Sequence, residues 1–350
     1  MDVTDYKCLS CHANLHFDPI TQKWSCEYCG SHFELNELEK AYGTDENLKE
    51  EKEVELNADY NCYNCPNCGA EIIMDNETTA TFCVYCGSTA IIKNKLKGEF
   101  NPTKIIPFKT TKEDALKAFN EYKKGKLFMP DEFTNPNNIE KISGIYIPFF
   151  IYDCDMSSDV EIDATKIKRW SDSSYYYTKT DYYNLERSVE MHFENIPVDG
   201  STKFPDDIMN SIEPFNYNEF KDFSPSYLSG FLSERFDVPM DKLFEKAEDR
   251  ATATAEREIL AQVHSYSTKA IRDRNHNAVQ NDTSEYVLLP VWMLNVNFKG
   301  QIYTFAMNGQ TGKFVGNIPI DKKKFWKWWR RLFFSSLGIT SLLVILLNLL

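Results

Sequence analysis

The sequence is short of the residues that most chemistries need. Its six histidines (His12, His16, His32, His192, His264 and His276) show no metal-ligand spacing among themselves, so no histidine metal motif is present in the sequence. No serine or cysteine sits in a nucleophile–base pattern, and carboxylates are not clustered. Asn308-Gly309-Gln310-Thr311-Gly312 lacks the Lys-Ser/Thr pair and following helix of a phosphate loop, and reads as a hairpin turn. A catalytic site therefore has no residues to name. Positive charge is also scarce: 39 Lys+Arg stand against 52 Asp+Glu, a formal net charge of −13. Within residues 1–50 four lysines face ten acidic residues, and within 51–100 four face eight. A nucleic-acid reader needs a basic footprint there, so composition weighs against nucleic acid as a partner. The first fifteen residues are polar and acidic, with no apolar leader, so the ten cysteines are read as reduced thiols and not as a disulfide framework.

What the sequence does have is a pair of cysteine quartets. Cys8, Cys11, Cys26 and Cys29 form the first, and Cys65, Cys68, Cys83 and Cys86 the second. Each reads C-x2-C-x14-C-x2-C, and every member of the second lies 57 positions after its counterpart. Two CxxC turns at this separation supply four sulfurs for one tetrahedral ion, so the spacing predicts two zinc ribbons, each holding one structural Zn2+. Gly30, Gly69 and Gly87 follow knuckles and provide the permissive backbone such turns need. A four-thiolate site leaves no open coordination position, so its ion folds the chain and does not activate water. Cys62 gives an alternative register with Cys65 and Cys68, but the 57-residue repeat leaves it a spare thiol. His12, just after a knuckle, reads as a surface residue, with a hydrogen bond to a zinc-bound sulfur as the alternative.

The rest divides by composition. Ribbon 1 occupies 1–33, an acidic linker 34–59, and ribbon 2 60–95. An α+β domain over 100–320 follows. Thr110 or Thr111 caps a helix carrying Ala115, Leu116, Phe119 and Tyr122, and a second helix runs from Met240 to Val263 with an apolar stripe. Apolar runs at 142–152 and 286–294 read as buried strands, alternating residues over 159–193 as further strands, and 301–320 as a hairpin. Residues 332–350 carry no charge, and 13 of the 19 are Leu, Ile, Val or Phe. At a rise of 1.5 Å they span about 28 Å, close to a bilayer's hydrocarbon thickness. The preceding segment, 321–331, brings six cations and Trp326, Trp328 and Trp329. This pattern predicts a single C-terminal transmembrane helix, a cell-membrane location, membrane lipids as partners, and N-terminal domains facing the cytoplasm.

Several motifs resemble a known family: the CPxCG knuckle at Cys65–Gly69, Gly144-Ile145-Tyr146-Ile147-Pro148-Phe149, Tyr227-Leu228-Ser229-Gly230, and the stretch from Tyr303 to Gly312. Together they are similar to the bacterial TFIIB-type zinc-ribbon-containing membrane proteins. Members are often labelled primosomal replication helicase or phage replication protein, yet this chain lacks the ATP-binding motifs of a helicase. Some relatives are encoded beside phage-shock-type envelope-stress proteins. The resemblance implies a non-enzymatic membrane adaptor that recruits protein partners. A zinc-ribbon nucleic-acid-binding protein tied to replication or transcription is the alternative.

Overall fold

Where the apolar runs give way to alternation, the sheet changes from buried on both faces to buried on one. The computed structural model describes residues 7–42, 60–65, 69–75, 83–85, 92–94, 102–135, 139 and 141–349. In chain order its elements are β1 (His16–Asp18), β2 (Lys23–Ser25), β3 (His32–Phe33), α1 (Leu35–Tyr42), β4 (Tyr60–Asn64), β5 (Glu71–Asp75), β6 (Ile92–Asn94), β7 (Lys104–Ile105) and α2 (Lys112–Lys123). The long strands β8 (Ser143–Ser171) and β9 (Tyr176–Asp199) follow, then α3 (Asp206–Ile212), β10 (Lys221–Asp222) and β11 (Leu232–Ser233). The chain continues with α4 (Met240–Gln262), β12 (Thr268–Phe298), β13 (Gln301–Asn308), β14 (Phe314–Gly316) and α5 (Lys322–Leu349).

One mixed sheet dominates, in the order β10-β7-β12-β8-β11-β5-β4-β6, with β9 beside β8, β13 beside β12 and β14 beside β13. At its centre β8 and β12 lie antiparallel, pairing from Ser143 opposite Met293 to Thr165 opposite Thr268. Near the root of β8, Ile145, Ile147, Phe149 and Ile151 enter one core while Tyr146, Phe150 and Tyr152 enter the other. β12 does the same with Val287, Leu289, Val291 and Met293 against Leu288, Trp292 and Leu294. Both faces are covered here, so these stretches are continuously apolar. Beyond Asp153 only one face is covered, and Met156, Val160, Ile162 and Ala164 alternate with exposed Asp155, Ser157, Asp159 and Asp163.

The cover is α4, whose buried stripe Leu243, Ala247, Ala251, Ala255 and Ile259 recurs every fourth residue. Its three alanines let the helix axis approach the sheet closely. At 23 residues α4 covers roughly 35 Å of sheet, whereas the 29 residues of β8 extend roughly 95 Å. The strands therefore outrun their helix. Past Thr165, among the described residues, only β8 and β9 continue, as a two-stranded hairpin closed at Asp172–Tyr175.

At the other end, Thr111 caps α2 by accepting from the Asp114 backbone N–H, while the Asp114 carboxylate accepts from the Thr111 N–H, a reciprocal capping box. The turn after β13 is held by Asn308, fully buried, whose Oδ1 accepts from the N–H groups of Gln310 and Thr311 while its Nδ2 donates to Ile212 O. Those two N–H groups are consumed by the turn, so this glycine-bearing segment is not a phosphate cradle.

The mixed α+β class holds, but one part of the expected architecture is corrected. Among the described residues no helix is long and apolar enough to cross a membrane. The expected C-terminal transmembrane helix, and the single-pass cell-membrane location drawn from it, are not supported. α5 opens with six Lys and Arg, and five of the ten residues 332–341 are Ser, Gly or Thr. Ser335, Ser336 and Thr340 turn their hydroxyls back onto helix carbonyls, and the side chains from 342 onward lie outside the described residues.

Candidate metal centre and its seat on the sheet

The first quartet converges. The Sγ atoms of Cys8, Cys11, Cys26 and Cys29 all lie within 4.8 Å of one another, with Cys8 to Cys29 at 3.4 Å and Cys11 to Cys26 at 3.5 Å. A tetrahedron with metal–sulfur bonds of about 2.3 Å has edges of about 3.8 Å, so the four thiols fit one zinc ion in spacing and in donor chemistry. The Ser10 N–H donates to Cys8 Sγ at 3.4 Å, and Ser31 Oγ lies 3.2 Å from Cys29 Sγ. The Ser31 hydroxyl and N–H, with the sulfurs of Cys8 and Cys11, pull the Cys29 thiol down to about 6. At Cys11 the Ala13 N–H favours the thiolate, but burial and the other sulfurs outweigh it and push the thiol up to about 12.

Local backbone geometry explains why the knuckles close. In the first, the His12 N–H donates to Cys8 O at 2.8 Å and the Cys8 N–H to Ala13 O at 2.7 Å. The second repeats this with Gly30 onto Cys26 and Cys26 onto Ser31. Both closing residues are left-handed, His12 at φ 62° and Gly30 at φ 73°. His12 thus fills a glycine's position. Its ring is exposed, and its role in the knuckle is carried by its backbone.

The second quartet is described only in part. Cys65 and Cys83 are both buried, whereas Cys68 and Cys86 lie outside the described residues. Among the described residues the four-sulfur cluster occurs at the first quartet alone, so a second metal site is not shown. The Cys65 knuckle nonetheless has the backbone of the first two: Gly69, at φ 71°, donates to Cys65 O and the Cys65 N–H donates to Ala70 O. Cys62 is buried within β4, opposite Ile73 and Asn94, and burial pushes its thiol up to about 11. That is the setting of a core side chain.

Neither cysteine region stands apart from the sheet. Phe17 and Trp24 of the first ribbon pack on Tyr227 in a three-ring cluster with centroids 5.1 to 5.3 Å apart. Trp24 Nε1 donates to Ser226 O, and Ser229 Oγ to Leu15 O. Gly230, at φ 84°, faces the ring of His16. The Tyr227–Gly230 motif is thus the receiver for ribbon 1. Sequence reasoning singled out this motif and missed its partner, although Trp24 lies only two residues before Cys26. The second cysteine region enters the sheet directly, through Ser233 of β11 opposite Ile73 of β5. Its Val84 carbonyl accepts from Asn295 Nδ2 at 2.7 Å, and Arg235 pairs with Glu71 at 3.1 Å. Beside it, burial pushes the Glu234 carboxyl up to about 8 against the hydrogen bonds of Ser201 and Tyr85.

A cleft of about 700 Å³ lies between ribbon 1 and the sheet, with His16, Asp18 and His32 on one wall and Phe231 and Trp292 on the other. Burial would raise the Asp18 carboxyl, but the Thr21 hydroxyl and the N–H groups of Ile20 and Thr21 outweigh it and hold the group below its usual value. That carboxylate is occupied by its own turn.

The fold and site define an α+β protein with a four-cysteine knuckle cluster fused to its main sheet. The chain belongs to the family of the Bacillus subtilis (strain 168) protein described as uncharacterized protein YdjG. The two are 34% identical over 349 residues, covering 98% of each. No family model matches the chain, and no solved structure matches it.

Proposed function

We propose that the protein is a non-catalytic scaffold, braced by zinc, that recruits protein partners. The observation that carries this reading is the closed set of four sulfurs at the first quartet, in a ribbon wedged by Phe17 and Trp24 against Tyr227. A four-thiolate ion has no position for substrate or water, so what it supplies is a cross-link. The shared knuckle backbone at Cys65 supports a second ion on Cys65, Cys68, Cys83 and Cys86. An adaptor is also what the resemblance to TFIIB-type zinc-ribbon proteins implies, and a place among envelope-stress proteins follows from the same resemblance.

The test has two parts. Elemental analysis of protein purified without added metal is expected to give two zinc per chain, and one or none would remove the second or both sites. Affinity capture with the purified chain, followed by cross-linking and mass spectrometry, is expected to return a stoichiometric protein partner. Loss of that partner on metal removal supports the scaffold, while capture of nothing specific refutes it.

A further inference from the structure

We infer that the distal β8–β9 hairpin binds single-stranded nucleic acid on its α4-side face, beyond the reach of that helix. This proposal is independent of protein recruitment. Residues directly opposite each other in an antiparallel pair share a face. The pairs Trp170–Tyr177, Lys168–Lys179, Lys166–Asp181 and Ala164–Tyr183 therefore continue the face that carries Val160 and Ile162 beneath α4. Side-chain contacts agree: Trp170 and Tyr177 stack at 5.5 Å and 13°, and Lys166 lies over the rings of Tyr183 and Tyr266. Past Tyr266 no described residue covers this face, and Trp170 is 53% exposed.

From Tyr183 to Tyr177 the platform runs six residues, about 20 Å, the length of roughly six stacked bases. Over it stand three lysines against Asp181, which pairs with Lys179 at 3.0 Å. The whole hairpin, 166–181, holds four cations and two carboxylates in a chain of net charge −13. A cationic, aromatic strip on an acidic protein calls for a polyanion with flat groups to stack. Single strands offer both, whereas duplexes hide their base faces. A lipid surface fits less well. The apex is Asp172-Ser173-Ser174, and the Asp172 carboxylate accepts from the N–H groups of Ser174 and Tyr175 and from the Tyr177 hydroxyl. A carboxylate held in the turn by three hydrogen bonds would lead any entry into hydrocarbon.

The test is fluorescence anisotropy of the full chain with labelled single-stranded DNA and RNA of about 12 nucleotides, beside duplex DNA and anionic phospholipid vesicles. Single strands are expected to bind, and three lysine–phosphate contacts predict about a 20-fold loss of affinity between about 50 and 200 mM salt. W170A/Y177A is expected to weaken binding at least about 10-fold by removing two stacking faces. K166A/K168A flattens the salt dependence, and Y176A/Y182A, on the opposite face, leaves binding unchanged. Equal binding to duplex, binding to vesicles alone, no binding at all, or loss through Y176A/Y182A would each overturn the proposal. Unchanged thermal unfolding of each variant keeps the readings separate from folding.

Discussion

Replacing Cys26 by serine should unseat the first ribbon while leaving the sheet folded. Cys26 is 2% exposed, and its sulfur is one of the four that meet within 4.8 Å. Zinc in comparable peptides contributes on the order of 10–16 kcal/mol. Apart from the cysteines, the buried apolar side chains of residues 7–42 are few: Leu15, Phe17, Trp24 and, from α1, Leu38. At roughly 1.5–3 kcal/mol each they supply about 6–12 kcal/mol, comparable to the ion alone. With one ligand lost, that apolar set is too small to order residues 7–42 by itself. Hydrogen exchange read by mass spectrometry should then show protection lost across 7–42 and at the Tyr227 receiver. Protection should remain in the paired centres of β8 and β12. Trp24 emission should shift red as the ring leaves Tyr227, and bound zinc should fall by one per chain. If protection over 7–42 survives in a C26S protein shown to lack that ion, the metal is not what holds the ribbon.

Three further outcomes follow from particular contacts. Glu234 has its carboxyl raised by burial to about 8, against about 4.3 in an unfolded chain. Its contribution is present below the unfolded value and is lost as pH rises through 8, so stability should fall by a few kcal/mol between pH ~5 and ~9. In E234Q, denaturant titrations at several pH values should give a flatter profile, and an unchanged slope would refute the assignment. His12 occupies a left-handed position that glycine fills in the sister knuckles, so H12G should raise the melting temperature by the equivalent of about 1 kcal/mol. Ala251 is buried where α4 meets the sheet, so the three further carbons of A251L should overpack the site and destabilise by about 1–3 kcal/mol in urea.

Much of this was legible in the residues. The repeated cysteine spacing located a four-sulfur cluster before any fold was known, because ligand geometry fixes spacing directly. The helices at 112–123 and 240–262 showed themselves through a cap and an apolar stripe, and the β13–β14 turn through its Asn-Gly. The great length of β8, β9 and β12 was hidden. Their outer stretches face water on one side, so 142–152 and 159–193 read as separate strands, and the alternation of Asp155 and Ser157 with buried neighbours that joins them was missed. The union of both cysteine regions with the sheet was hidden too, since it rests on contacts such as Trp24 on Tyr227 and Ile73 opposite Ser233, far apart in sequence. The membrane expectation rested on counting apolar residues over 332–350, and among the described residues no helix meets that requirement.

The mismatch in length between α4 and the strands it covers divides the sheet mechanically. Up to the level of Ala164, three strands and a helix resist bending together; past Thr165, two strands carry the load alone. Flexure concentrates at that boundary, near where Lys166 sits over Tyr183 and Tyr266. The outer segment can swing while the root stays still. Whatever it grips need not arrive in a fixed orientation relative to the cysteine cluster, and the two ends of the molecule can hold different things at once.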